Sequence, residues 1–203
     1  MRIALIVEGN TEKAILPCLR EFINQRLKGH MPQIVPFSSQ GRIPKGRKLK
    51  FDVMMHLDQG YDAVIALTDV YTGSIPPDFI DASDAKRKMK EWVGEENRFY
   101  PHAAQFEFEA WLLPHWEEIK KRIKSNRTRP GTNPELVNHN KPPSKHLEDL
   151  YRMGDPARSY IKVRETPKIL KSTEQLIVSI NACPELKSFI NTILCLCETN
   201  PIP

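Results

Sequence analysis

Met1-Arg2-Ile3-Ala4-Leu5-Ile6-Val7-Glu8-Gly9-Asn10-Thr11-Glu12-Lys13-Ala14-Ile15 opens the chain and decides its architecture. Ile3 to Val7 is a continuous apolar run rich in β-branched residues, the composition of a strand buried on both faces of a parallel sheet. Gly9 and Asn10 end the run as turn residues that accept positive φ. Thr11 to Glu21 then reads as one helix, with Ala14, Ile15, Cys18, Leu19 and Phe22 at helical spacing. Glu8 therefore sits at the C-terminal lip of a buried strand, just before a helix. Ligand chemistry in open α/β sheets collects at that lip, and packing explains a carboxylate there poorly.

The same grammar repeats downstream. Asp62-Ala-Val-Ile-Ala-Leu-Thr68 is a second buried strand and also ends in an acid, Asp69. Gln33 to Phe37 is a shorter strand, placed near an edge by Pro36. Phe99 to Phe106 is a further core strand, running into Glu107-Phe108-Glu109, where the apolar spacing turns helical. Helices are expected at Phe51 to Gln59, with Phe51, Met54, Met55 and Leu57 inward, and at Ala82 to Glu96. Strands alternating with helices imply an α/β fold with a mostly parallel sheet flanked by helices. Right-handed crossovers place every strand's C-terminal end on one rim. That rim would gather Glu8, Asp69 and the Glu107/Glu109 pair.

Residues 1–125 hold this α/β unit, and 126–203 read as a loop followed by a helical extension packed on it. Asn126 to Pro143 is polar and rich in Pro, Asn and Arg. Ser144 to Arg152 is a helix with Ser144 as N-cap, a helical region runs from about Pro167 to Asn181, and Pro184 to Leu196 is a final amphipathic helix. Two basic groups stand out. The Gly- and Pro-bearing loop Ser38 to Lys50 carries Arg42, Lys45, Arg47, Lys48 and Lys50, and further on come Lys141 and Lys145. Such cations suit a phosphate backbone, with a solvated loop as the alternative. His102, His115, His139 and His146 are scattered, and Trp111 and Trp116 read as core.

Across 203 residues, 30 Lys and Arg stand against 25 Asp and Glu, a net charge of +5 that leans mildly towards polyanionic partners. Cys18, Cys183, Cys195 and Cys197 form no CxxC pair, so reduced thiols and a cytoplasmic setting are expected. No apolar run approaches the ~20 residues of a membrane span, and the immediate entry into a core strand argues against a signal peptide.

Acids converging from separate strand ends, with no His or Cys among them, form a hard-oxygen cluster suited to Mg²⁺ or Mn²⁺. Such ions most often serve phosphoryl transfer, and a carboxylate left partly free can act as general base. These residues resemble a family. Val7-Glu8-Gly9-x-Thr11-Glu12 after a strand is similar to the first motif of Toprim domains, and Asp69 to the start of their Asp-x-Asp motif. Glu109-Ala110-Trp111-Leu112-Leu113, Lys141-Pro142-Pro143-Ser144-Lys145, Tyr160-Ile161-Lys162 and Cys183-Pro184-Glu185-Leu186 extend the resemblance to small Toprim-like proteins of a domain-of-unknown-function family that stand beside ATPases in prokaryotic defence islands. Toprim domains also occur in topoisomerases, primases and the overcoming-lysogenisation-defect nucleases.

The resemblance implies Glu8 as acid/base or metal ligand and Asp69 as ligand, with Glu109 or Glu107 completing the set and Lys162 near the reacting phosphate. One departure stands out: Tyr71 replaces the second Asp of Asp-x-Asp, a loss that Glu107 or Asp78 would have to make good. The expected function is a metal-dependent nuclease acting on DNA or RNA, in phage defence and paired with an ATPase. The alternative is a non-catalytic module that binds nucleic acid or that ATPase.

Overall fold

The computed structural model describes residues 1–39, 41–137, 141–154 and 159–203, so Gln40 and His139 lie outside the described residues. Four strands, β1 (Arg2–Val7), β2 (Gln33–Ser38), β3 (Ala63–Asp69) and β4 (Phe99–Ala104), form one sheet. Its order is β2-β1-β3-β4, and every pairing is parallel. The two apolar runs, β1 and β3, lie in the middle. β2 is at an edge, where the missing N–H of Pro36 costs no ladder bond. Parallel pairing throughout puts the ends Val7, Ser38, Asp69 and Ala104 on a single rim.

Alternation along the strands sorts the core into two layers. Ile3, Leu5, Val7, Ile65 and Leu67 face one cluster, while Ala4, Ile6, Val64 and Ala66 face the other. The second cluster is closed by α3 (Arg47–Asp58) and α4 (Ala82–Val93). The first is closed by α2 (Leu16–Asn24) and a 3-10 helix, Phe108–His115, together with α5 (Trp116–Ile123), α6 (Pro143–Gly154), α7 (Lys162–Ile169), α8 (Thr173–Ala182) and α9 (Pro184–Leu196). Leu147, Leu176 and Leu186 from beyond residue 125 share this cluster with Trp111 and Leu5. The five apolar residues Leu186, Phe189, Ile190, Ile193 and Leu194 of α9 are buried, as their spacing requires.

The chain departs from its sequence pattern at five places. The first helix is two: α1 (Asn10–Ala14) stops at Ile15 and α2 restarts at Leu16. Pro17 explains the break, because it has no N–H to give Lys13 and its ring crowds the preceding turn. Gly9 is extended (φ −149°), not left-handed, and Glu12 Oε2 accepts its N–H at 3.1 Å. The third helix begins at Arg47, four residues before Phe51, and buries Leu49, Val53, His56 and Leu57; Phe51 is 66% exposed. Ser144 lies inside α6 rather than capping it, and the region expected from Pro167 to Asn181 is two helices, α7 and α8. Among the described residues, no helix is long and apolar enough to cross a membrane.

Candidate functional site

The rim where the parallel strands end brings together Glu8, Glu12, Asp69, Glu107, Glu109 and Lys162. Glu8 follows β1 and is buried. Its Oε1 accepts the backbone N–H of Asp69 at 3.0 Å and the hydroxyl of Thr68, the last two residues of β3. Asp69 in turn accepts the N–H of Phe108 on Oδ1 at 2.8 Å, which caps the 3-10 helix from another strand. Glu107, just before that helix, takes the N–H of Ser144 on Oε2 at 2.8 Å. This bond supplies an acceptor at the N-terminal turn of α6 that Ser144 itself does not provide. Glu109 is fully buried. Its Oε1 faces Lys162 Nζ at 2.9 Å, and its Oε2 is buried without a hydrogen-bond partner.

Each of these acids thus spends one oxygen on holding the fold or on Lys162. For Glu8, Glu12, Asp69 and Glu109, negative charge is difficult to sustain. Burial raises Glu8 to about 7; its bonds from Thr68 and Asp69 pull down, and the Glu12 carboxylate pushes up. Burial raises Glu109 to about 6, with Lys162 pulling down and Glu107 pushing up. Asp69 stands well above the carboxylate range, through burial and then the repulsion of Glu8, Glu12 and Glu109, with Lys162 opposing. Burial likewise raises Glu12. Burial works against the charge on Lys162, but Glu109, Glu107 and Asp69 together hold its pKa above the ordinary lysine value. The cluster carries more acid than Lys162, itself half-buried, balances.

Glu12 is the member that sequence reasoning left out of the site. The signal was present: an acid three residues after the Gly that starts a helix reaches back to that residue's N–H, which turns it towards the rim.

Other expected residues fall elsewhere. Arg42 is exposed, and its charge favours ionised Glu8. Arg42 also donates to Ser74 Oγ at 2.9 Å. Lys45 is paired with Asp78 at 2.5 Å, and Thr72 and Ser74 donate to the same carboxylate at 2.5 and 2.7 Å. Burial pushes Asp78 up, but these partners hold it at about 2. Asp78 therefore clasps two loops and makes no contact with the acid cluster. Tyr71 is 52% exposed, and its N–H donates to Phe106 O at 2.7 Å, so no carboxylate stands at that position. Arg47 and Lys48 open α3, exposed to solvent. Lys141 pairs with Asp149, which Arg152 and Arg127 also contact at 2.6 and 3.4 Å. Lys145 pairs with Glu148 at 2.7 Å and lies within the field of Glu107.

His102 and His115 are structural: their Nε2 atoms meet Thr192 and Ser179 at 2.9 and 3.0 Å. Trp111 and Trp116 are fully buried, with indole N–H groups donated to Glu135 and Arg127 O. All four cysteines are free thiols.

Among the described residues, no group of three or more His, Cys, Asp or Glu side chains is arranged to hold a metal ion. The donor chemistry nonetheless fits a hard cation. The oxygens are carboxylates, their charge is under-compensated, and Glu109 Oε2 is buried with nothing to bond. A cavity of about 610 Å³ lined by Gly9, Asn10, Lys13, Phe37, Ser38 and Gly41 opens beside the lip of β1.

No curated protein matches the chain. Among solved structures it is similar to the C-terminal region of the Burkholderia pseudomallei OLD protein, at 15% identity and a TM-score of 0.45, over 93% of this chain and 98% of that one. It is also similar to the C-terminal region of the Xanthomonas campestris pv. campestris OLD protein, at 14% identity and a TM-score of 0.38, over 96% and 93% of the two chains. A sequence profile matches residues 7–194, nearly the whole length, and by that match the chain belongs to the family described as Domain of unknown function (DUF4276).

Proposed function

We propose that this chain is a Mg²⁺- or Mn²⁺-dependent nuclease that hydrolyses phosphodiester bonds of DNA or RNA. The observation that carries the proposal is the rim itself, where acids with upward-shifted pKa values are opposed by one half-buried lysine. Structural ion pairs balance their charge; this cluster does not, and a divalent ion is the natural complement. Asp69 and Glu109 would hold it, with Glu12 and Glu107 beside them and Glu8 left free as the base. When bound, such an ion supplies Lewis-acid activation of water and phosphate.

The chain's own residues do the rest. Hydrolysis adds water across a P–O bond, so one proton must leave the water and one must reach the departing oxygen. Glu8, titrating at about 7, can accept the first on the carboxylate oxygen that Thr68 and Asp69 leave unengaged. Lys162, held protonated beside Glu109, lies where its charge can meet negative charge developing on the phosphate or leaving oxygen. Arg42 and the cations of α3 can bear neighbouring phosphates. The Toprim-like resemblance supports an ATPase as working partner and a defence role. The test is incubation with supercoiled plasmid and with structured RNA, plus Mn²⁺ or Mg²⁺. Cleavage should occur and should vanish in both Glu8→Ala and Asp69→Ala; cleavage retained in both removes the proposal.

One observation favours a second reading, a non-catalytic module. The position of the second Toprim acid holds an exposed Tyr71, and no carboxylate from Asp78 replaces it. That reading expects nucleic-acid or ATPase binding without turnover. It also expects no Mn²⁺-dependent rise in melting temperature. A rise that disappears in Asp69→Ala would count against it.

A further inference from the structure

A cavity of about 470 Å³ lies away from the acid cluster, lined by Arg122, Ile123, Tyr151, Ser159, Arg164, Glu165 and Lys168. At its floor Glu165 is buried, and four donors converge on it. Arg122 Nη2 and Tyr151 Oη reach its Oε2 at 3.1 and 2.8 Å. Arg164 Nε and Lys168 Nζ both reach its Oε1 at 2.9 Å. Arg122 also bonds the Tyr151 hydroxyl. Satisfying one buried carboxylate explains a single cation and a hydroxyl. It does not explain three cations.

Among the described lining residues there are three positive charges and one negative, an excess of two. The three cations are 33 to 51% exposed, so their charge reaches the cavity. Among the described residues, Arg122 and Arg164 make these bonds through Nη2, and through Nε and Nη2, leaving Nη1 of each without a partner. Planar guanidinium forks presented side by side with an ammonium are the recognition set for phosphate. Glu165 acts as the template that gathers them.

We infer that this cavity is a phosphate-binding site, taking a phosphate of the same nucleic-acid strand whose phosphodiester meets the acid cluster. The inference rests on the nuclease reading for its strand but not for its chemistry. Helix α7 links the two places. Its first residue, Lys162, faces Glu109, while Arg164 and Lys168 follow on the same helix. At about 1.5 Å rise per residue they stand ~3 and ~9 Å further along the axis. A strand carries one charge per ~3.4 Å of duplex axis, so a phosphate in the cavity is within a few nucleotides of one at the rim. The cavity would therefore fix register, holding either a terminal phosphate or an internal one.

The test measures binding without turnover. Two 3′-fluorescein-labelled single-stranded 12-mers, one with a 5′-phosphate and one with a 5′-hydroxyl, are titrated with the full chain in EDTA and followed by anisotropy. The wild type should bind, and Arg164→Gln/Lys168→Gln should bind at least ~10-fold more weakly, with the slope of log K on log salt shallower by about 1 to 2. Loss confined to the 5′-phosphorylated strand assigns a terminal phosphate; equal loss on both assigns an internal one. Unchanged affinity in a variant with wild-type circular dichroism overturns the inference, as does absence of binding by the wild type. Should the double variant fail to fold, Lys168→Gln alone, which leaves three donors on Glu165, should still weaken binding, and unchanged affinity there overturns it equally. Glu8→Gln, carried in parallel, should abolish cleavage in Mn²⁺ but keep binding in EDTA, so failure of the nuclease reading would leave the phosphate site standing.

Discussion

Glu8→Gln should make the metal-free protein more stable at pH 8 and leave it nearly unchanged at pH 5. Glu8 sits at about 7 instead of an ordinary 4.5, chiefly through burial. The folded protein therefore binds a proton between those values that the unfolded chain has already released. Stability falls as pH rises from about 4.5 to about 7 and is flat beyond, since the slope follows the difference in bound protons. At about 1.36 kcal/mol per pH unit, the ionised carboxylate costs roughly 3 kcal/mol above neutrality. Coupling to Glu12 and Asp69 shares that cost, so about 1 to 3 kcal/mol is the expected gain.

Glutamine keeps a carbonyl oxygen where Glu8 Oε1 accepts the N–H of Asp69 and the hydroxyl of Thr68, so the variant loses charge but not these bonds. Urea unfolding in EDTA at pH 5 and pH 8 measures the difference, with the slope of the transition as a check on two-state behaviour. Mn²⁺ should raise wild-type stability more at pH 8 than at pH 5. A Glu8→Gln protein that is less stable at both pH values, or equally stabilised at both, would refute the reasoning, because the acids would then not be strained by their charge.

Glu107→Ala removes the acceptor for Ser144 N–H at the start of α6 and should cost about 2 kcal/mol in chemical denaturation. Glu135→Ala strips the Trp111 indole and the Glu185 N–H of their acceptor; a loss of about 2 to 3 kcal/mol with an altered near-ultraviolet spectrum is expected, and Glu135→Gln should be milder. Glu165 behaves oppositely to Glu8: burial pushes up, but Lys168, Tyr151 and Arg164 hold it at about 2. Its stabilisation is present above pH 4.5 and is lost as pH falls through about 2. With Arg164 and Lys168 half exposed, solvent screening reduces the expected loss in Glu165→Gln to about 1 to 2 kcal/mol at pH 7, fading towards pH 2 in acid titration of the folded fraction.

Local pattern carried the layout of the sheet. Ile3 to Val7 and Ala63 to Thr68 are too short and too apolar for an amphipathic helix, and Pro36 marks the edge strand. Helix boundaries were less legible, because Pro17 acts on a carbonyl four residues back and because Leu49, not Phe51, finds the core. The final helix α9 was legible to its ends, since its apolar face repeats without interruption and Pro184 opens it.

Sequence by itself determined that Glu8 and Asp69 end buried strands, since burial and its end are written in neighbouring residues. Only the tertiary structure decided what each acid does with its oxygens. Glu8 binds to β3 across 61 positions of sequence, Glu107 reaches α6 across 37, and Lys162 comes from the start of α7 to face Glu109. It also gave Asp78 to Lys45, and gathered Arg122, Arg164 and Lys168 around Glu165. These are hydrogen bonds and charges in a shared low-dielectric space. Their strength depends on which groups meet there, and distance along the chain says nothing about that.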